Sequence, residues 1–382
     1  MDLNHIDIHP MPAFWKFAGA EELRTQINDA FADILLPAAH ATSQCNYQKI
    51  ITALHAKKIS GLRYSREKGG TGAGLAAQAM FAESLGRIPS GSIGMALTIH
   101  LDMVAPFIDQ YGSPEQIETF LMPALRGDIL LSHAVSEPGA GSDVTNLVTT
   151  AVKDGNGWRI SGQKTMISLA TLADVHFVIA RLPEYRAPFN MVNFLIPKNT
   201  PDLRLGPIKP ALGNHHCPVA DIFFDNLWIS DDHRLGMPGM GMINQLQQFS
   251  QERILSSLRA NQVTYQCLQR AMQWATPSDH QWQLLNAEWQ ASRALTYKAM
   301  QRWLDNGEYL SLSCSSKLLS SRLARRTAAY TLELAHKLEL AQKNDTRDLT
   351  LLKSCLNDAR LFSISTGSDE MMLKSIAAAE KY

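Results

Sequence analysis

"LLSHAVSEPGAGSDVTNLVTTAVKDGNGWRISGQKTMIS", residues 130–168, is the stretch that decides how this chain folds. An apolar run leads into Glu-Pro-Gly-Ala-Gly-Ser-Asp at 137–143 and passes "VTTAVKD". The chain then turns at Asp-Gly-Asn-Gly, 154–157, into the alternating segment "WRISGQKTMI". Short β-branched or aromatic segments divided by turn residues read as strands. Gly139 and Gly141 leave the backbone N–H groups free to converge on an anion or cofactor, and Ser136, Ser142 and Asp143 add hydrogen-bonding side chains. The same small residues suit an ordinary turn, so the loop by itself leaves both readings open.

Working outward, "DVHFVIARL", "NMVNFLIP" and "ADIFFDNLWI" continue the strand pattern to about residue 233. Four or more such segments in ~100 residues predict a compact antiparallel sandwich or barrel. Upstream, "EELRTQINDAFADILLPAAHA" and "YQKIITALHAKKI" space apolar residues three and four apart. "SPEQIETFLMPALRG" opens on a Ser N-cap and closes on Gly, which marks another helix. After "LGMPGMGM" the helical period returns and stays, through three long segments that suit a bundle. The expected fold class is α+β. A helical N-terminal domain spans 1–128, a central antiparallel β-barrel or sandwich spans 129–235, and a C-terminal helical bundle spans 236–382.

Composition narrows the function. Lys plus Arg and Asp plus Glu are both 36, a net charge of zero, which lacks the electrostatic footprint of a nucleic-acid or anionic-membrane binder. The cysteines, at 45, 217, 267, 314 and 355, are odd in number and have no CxxC spacing. They read as reduced, mostly buried thiols rather than a disulfide framework or zinc site. The start "MDLNHIDIHPMPAFWKF" has no basic residues followed by an apolar core, and no run approaches ~18 consecutive apolar residues. The expectation is a soluble cytoplasmic protein with no membrane span. His215-His216-Cys217, read as a strand, would point to alternating faces and could not converge on a metal. The tryptophans read as packing, since no basic groove accompanies them.

A second constellation is Gln-Glu-Arg at 251–253. Helical spacing places Arg253 on a stripe with Met242, Leu246, Phe249, Ser256 and Ala260, with Glu252 at its flank. A guanidinium there needs a partner. It can be half of a structural ion pair, or it can organise a site in which Glu252 is a desolvated base.

"SEPGAGSDV" and "ISGQKTMIS", then "FFDNLWI", "LGMPGMGM", "QER" and "DARLFSISTGSDEMM", stand in an order that resembles the acyl-CoA dehydrogenase family from about residue 80 to 380. The resemblance implies a C-terminal four-helix bundle and FAD held between it and the β-domain. By motif match, His133, Val135 and Ser136 line the isoalloxazine, and Gly141 and Ser142 meet the pyrophosphate. Met166, standing where an aromatic residue is usual, covers the flavin's other edge with Ile167 and Ser168. Ser368 and Glu370 keep the adenine-side pattern.

The implied activity is α,β-dehydrogenation of an acyl thioester on CoA or an acyl carrier protein. Electrons pass on to an acceptor such as an electron-transfer flavoprotein, and the assembly is a homodimer or homotetramer. Many relatives carry the base in the C-terminal motif, where this chain has Thr366. Glu252-Arg253 matches the branch that includes isovaleryl- and long-chain-acyl-CoA dehydrogenases, which carry the Glu in the bundle helix. Glu252 is then the base, Arg253 a substrate-side residue, and the backbone at Thr366 and Gly367 faces the thioester carbonyl. Two family motifs are replaced: Arg-x-x-Phe-Gly by "QWATPSDHQW", and Gln-x-x-Gly-Gly by "LELAHKLELAQKNDTRD". Both normally reach the FAD of a neighbouring subunit. Their loss leaves open a degenerate binding or scaffold protein, and the fold also hosts flavin oxidases and monooxygenases.

Overall fold

In the computed structural model the described residues are 15–40, 45–276, 279–340 and 346–379. Residues 1–14 of the stretch read for a leader, and part of "LELAHKLELAQKNDTRD", lie outside them. The helix expected over "SPEQIETFLMPALRG" begins with a capping box. The Ser113 hydroxyl accepts the Gln116 N–H at 3.2 Å, and the Gln116 side chain accepts the Ser113 N–H at 3.1 Å. It ends at Gly127, whose φ of +87° is the left-handed stop that glycine makes cheaply. Helices also cover Ala20–Ala30, Tyr47–Ala56 and Leu75–Ser84. The segment Gly91–Tyr111 is long and apolar enough to cross a membrane by length and composition, yet 94% of its apolar 18-residue window is buried inside this fold.

Eight strands follow: β1 Leu131–Ala134, β2 Thr150–Asp154, β3 Gly157–Ser168, β4 Val175–Arg181, β5 Met191–Pro197, β6 Leu203–Leu205, β7 Val219–Ser230 and β8 Arg234–Gly239. They form one sheet in the order β6-β7-β3-β2-β4-β5-β8, with β1 paired to β4. The expected β-domain is present, but its sheet is mixed rather than purely antiparallel. β1 runs parallel to β4 from Leu131↔Val175 to Ala134↔Val178, and Thr150 of β2 pairs parallel with Arg181. The long loop between β1 and β2 carries the chain away from the sheet and back, which tight hairpins cannot do. Histidines 215 and 216 lie in a turn closed by Cys217 N–H to Asn214 C=O at 2.9 Å, not on a strand. Adjacent residues in a turn do not alternate between two faces as they would on a strand. All five cysteines are free.

The C-terminal domain consists of helices Gly241–Met272, His280–Leu304, Leu310–Leu340 and Thr346–Ala359, with the short Asp369–Ala379 closing it. The stripe expected on the first of these is not what the structure shows. Leu246 is 49% exposed and Phe249 half-buried, whereas residues 252–262 are buried on every face. Ile254, Leu255 and Leu258 pack with Ala79, Ala82, Met300 and Trp303, so this helix is wedged between the N-terminal helices and the bundle. A helix covered on all sides has no amphipathic stripe to read.

A tight approach across that wedge is at Gly86. A Cβ there would lie 2.4 Å from the Arg259 carbonyl oxygen and 2.7 Å from Gln262 Cβ. Gly86→Ala is expected to force the two helical layers apart, at about 1–3 kcal/mol. Thermal unfolding should show a midpoint lowered by roughly 2–8 °C; an unchanged midpoint would mean that the interface yields without cost.

Candidate active site

The loop after β1 is built on a buried ion pair. Lys164 of β3 and Glu137 are 0% and 1% exposed, and their charged atoms stand 2.8 Å apart. Lys164 also donates to the Val135 carbonyl at 2.9 Å, while Glu137 accepts the N–H groups of Val148 and Thr149 at 2.6 and 3.0 Å. Burial pushes the lysine down to about 8 against the pull of Glu137. On Glu137, burial pushes upward, but Lys164 and the loop hydrogen bonds outweigh it and hold the carboxyl below its ordinary range. The pair fastens both ends of residues 137–149 to the sheet. Neither residue stood out in the sequence; the only signal was a lysine at an inward position of an alternating strand.

Held this way, the loop leaves its glycines open. An added Cβ at Gly139 or Gly141 would meet nothing within 4 Å. The Ser136 hydroxyl donates to the Thr165 carbonyl at 2.7 Å, which ties the loop to β3 where that strand bulges. Met166 sits on the bulge with φ +57° and is 58% exposed, an uncommon conformation for a side chain with a Cβ. Asp221 holds it there. Its Oδ1 accepts the Thr165 hydroxyl at 2.6 Å and the Met166 N–H at 3.3 Å, with Lys209 at 3.0 Å from the same oxygen. Ile167 is buried in the sheet core, and the Ser168 hydroxyl lies against the Cys217 thiol. His133 is half-buried beside Phe177, ring centroids 5.0 Å apart, and reaches Gln245 Oε1 at 3.2 Å. Burial pushes it down to about 4, so it is neutral near pH 7. Val135 is buried.

The C-terminal motif closes on this cradle. The Ser368 N–H donates to the Ser142 hydroxyl at 3.0 Å, across 226 residues. Thr366 and Gly367 just before it have φ of +55° and +101°. The strained turn is pinned from the bundle. Arg253 Nε donates to the Thr366 carbonyl at 3.2 Å, and Lys317 Nζ donates to the Gly367 carbonyl. Arg253 also reaches Cys314 Sγ at 3.4 Å. Its guanidinium therefore holds the loop, instead of standing free toward a ligand. Neither Thr366 nor Gly367 uses its N–H in a hydrogen bond among the described residues. Glu370 lies in the first turn of the last helix, exposed.

Glu252 is 1% exposed, and its Oε1 has no hydrogen-bond partner among the described residues. Burial pushes its carboxyl up to about 8, against the opposing pull of Arg253 and with help from Asp102. Among the described residues, no group of three or more His, Cys, Asp or Glu could hold a metal.

Comparison with known proteins places the chain. It matches the N-terminal domain of acyl-CoA dehydrogenase over residues 18–128, the middle domain over 132–227 and the C-terminal domain over 239–380. The chain belongs to the acyl-CoA dehydrogenase family. It is 30% identical to benzylmalonyl-CoA dehydrogenase of Aromatoleum aromaticum over 56% of each chain. It is 31% identical to an L-prolyl-(peptidyl-carrier protein) dehydrogenase of a Serratia species, over 51% of this chain and 52% of that protein. These matches span about half the length of either relative. Butyryl-CoA dehydrogenase of Megasphaera elsdenii shares the fold, with a TM-score of 0.83 over 97% of this chain and 98% of that one at 18% identity.

The family's cofactor is FAD, and the residues fit it. The backbone at Gly139 and Gly141 is open to close approach, and Met166 is held outward on a strained bulge. Lys164→Met would strand Glu137 in the core and release the loop, at about 3–5 kcal/mol. Faster amide exchange across residues 137–149 and a lower melting temperature are expected. Wild-type exchange in the variant would remove the pair from this role.

Proposed function

We propose that this chain is an FAD-dependent acyl-thioester α,β-dehydrogenase in which Glu252 removes the α-proton. The observation that carries the proposal is Glu252 itself, a fully buried carboxyl with an unpartnered oxygen on the helix that also anchors the C-terminal loop. When bound, the flavin supplies the acceptor for the β-hydrogen as hydride. Its holders are Val135, Ser136, Gly141 and Ser142 on one side, Met166, Ile167 and Ser168 on the other, and Ser368 and Glu370 toward the adenine.

The chain's own residues do the rest. A base works best when its pKa lies near the working pH, and burial has moved Glu252 there. Arg253 and Lys317 grip the carbonyls of Thr366 and Gly367, which fixes the two peptide planes and leaves both N–H groups for the thioester oxygen. Donors fixed in advance stabilise the developing enolate without reorganisation. Thr366 occupies the family's other base position and has no acidic group. This supports membership of the branch with its base in the bundle helix. The acyl carrier is CoA or an acyl carrier protein, as among the relatives, with an electron-transfer flavoprotein as acceptor and a homodimer or homotetramer as the assembly.

The freshly purified protein should show a flavin absorption spectrum near one per chain, and an acyl thioester should bleach it. Glu252→Gln should keep the flavin and the thioester affinity, yet slow bleaching by about 10²–10⁴-fold. Near-normal bleaching would take the role from Glu252. A colourless protein that takes up no added FAD would favour the binding or scaffold reading.

Only the ionised carboxylate can accept a proton, and Glu252 ionises as pH rises through about 8. The kcat/KM for the thioester should therefore climb about tenfold per pH unit below that value and level off above it. A profile flat from pH 6 to 9 would contradict this assignment.

A further inference from the structure

The helix that carries Glu252 faces a second buried carboxylate. The segment Thr98–Val104 is wholly buried and widened into a π-helical turn. Two contacts fix it against the helix Gly241–Met272. Gln248 Nε2 donates to the Asp102 carbonyl at 2.7 Å, and Arg259 Nη1 donates to the Thr98 hydroxyl at 3.1 Å. Gln248, Glu252, Ser256 and Arg259 recur at helical spacing on one face. Glu252 and Ser256 therefore stand between the two contacts, against the backbone of residues 98–102.

Three side-chain oxygens on this face go short of hydrogen bonds. Asp102 is 1% exposed, takes one hydrogen bond from Gln78 Nε2 at 2.7 Å, and has no ion pair within 4.0 Å among the described residues. Gln78 is equally buried, and with its amide nitrogen committed to Asp102 its Oε1 is left with no partner. Glu252 Oε1 is unpartnered as well. Burial has pushed Asp102 up to about 7, against the Gln78 hydrogen bond and the weaker pull of Arg63 and Arg259. Neither arginine bonds to it, although Arg63 Nη1 is buried without a hydrogen-bond partner among the described residues. A plain alkyl chain laid here would bring these oxygens no further donor, which is costly. A group with N–H bonds on the carbon that loses its proton would sit beside Glu252 and supply them.

Resting on the dehydrogenase reading above, we propose that the substrate is an α-aminoacyl thioester whose ammonium group is bound by Asp102 and the Gln78 amide oxygen. The α-nitrogen lies one bond from the carbon that Glu252 deprotonates, so a residue next to Glu252 can reach it. Arg259, seven residues on and about 10 Å along the helix axis, is too far to read a group at that carbon. Asp102 is a specificity residue: it chooses the acyl group and takes no part in the bond changes.

The test uses the purified flavoprotein with two pantetheine thioesters, L-prolyl and cyclopentanecarbonyl. They share a ring size and differ by the ring nitrogen. Flavin bleaching gives kcat/KM for each, and calorimetry with the corresponding non-oxidisable thioethers gives affinities. The wild type should favour the prolyl compound at least about tenfold in both measures. Asp102→Asn should bring the ratio to within about threefold of one, and Gln78→Leu should lower it in the same direction. If cyclopentanecarbonyl or butyryl thioester bleaches the wild type as well as or better than prolyl, the inference fails and the dehydrogenase reading stands. If neither of the two pantetheine thioesters nor the butyryl thioester bleaches it, both fail. An unchanged ratio in Asp102→Asn takes the recognition away from Asp102.

Discussion

Complete burial of the Gly241–Met272 helix between residues 252 and 262 is the constraint on which the site depends. Three charged side chains, Glu252, Arg253 and Arg259, enter that interior on a single helix. Charge in a dry interior must find hydrogen bonds or neutralise. Arg253 finds the Thr366 carbonyl and the Cys314 sulfur, and Arg259 finds the Thr98 hydroxyl and the ring of Phe362, 4.8 Å from its guanidinium carbon. Each solution ties the helix to a different layer, the first to the C-terminal loop and the second to the N-terminal domain. Glu252 has no such solution, so its proton affinity rises instead. The burial that stabilises the helix thus also tunes its carboxyl.

Strain is placed where these ties can hold it. Non-glycine residues at positive φ cost energy of order 1–3 kcal/mol each and persist only where the surroundings over-determine them. Met166 is over-determined by Asp221 and by the Ser136–Thr165 link. Thr366 is over-determined by Arg253 in front and by the Ser142–Ser368 bond behind. The two strained points come from segments 200 residues apart, and the loop between β1 and β2 reaches both. Its own position rests on Lys164 and Glu137. Breaking that pair leaves a buried charge, so the loop cannot relax cheaply into other conformations.

The helix–sheet–helix order was legible because periods of two and 3.6 are local properties. The Ser113 cap and the Gly127 stop were legible because a cap involves only neighbours. Ser136, Ser142 and Ser368, which the fold ties to one loop and strand, all stand in motifs whose order was legible. What escaped is what long-range contact decides. β1 pairs parallel with β4 across some forty residues, and no local pattern encodes that choice. Arg253 was expected on a stripe, but the stripe does not exist, because neighbours cover the helix on all sides from 252 to 262. Its guanidinium turned out to hold the loop at Thr366. Lys164, Glu137 and Asp221 carry no motif of their own; they matter because folding brings them to the bulge and the loop. Asp102 was invisible for the same reason, lying in an apolar run that reads as core.

Asp102 and Glu252 together raise a question of sign that the chemistry answers. Two buried carboxylates on facing elements repel when both are ionised, and Asp102 raises the proton affinity of Glu252. With an aliphatic acyl group between them, one would stay protonated near pH 7, and proton abstraction would compete with that repulsion. An ammonium group alters the balance, because a cation held by Asp102 stabilises its ionised form and offsets its repulsion on Glu252. The same cation stands next to the carbon being deprotonated, where it withdraws electron density and lowers the barrier to carbanion formation. A pocket that binds the ammonium thereby also readies the base, with no residue other than Glu252 moving a proton. A carboxyl placed beside a catalytic base is a liability for a hydrocarbon substrate and an advantage for a cationic one.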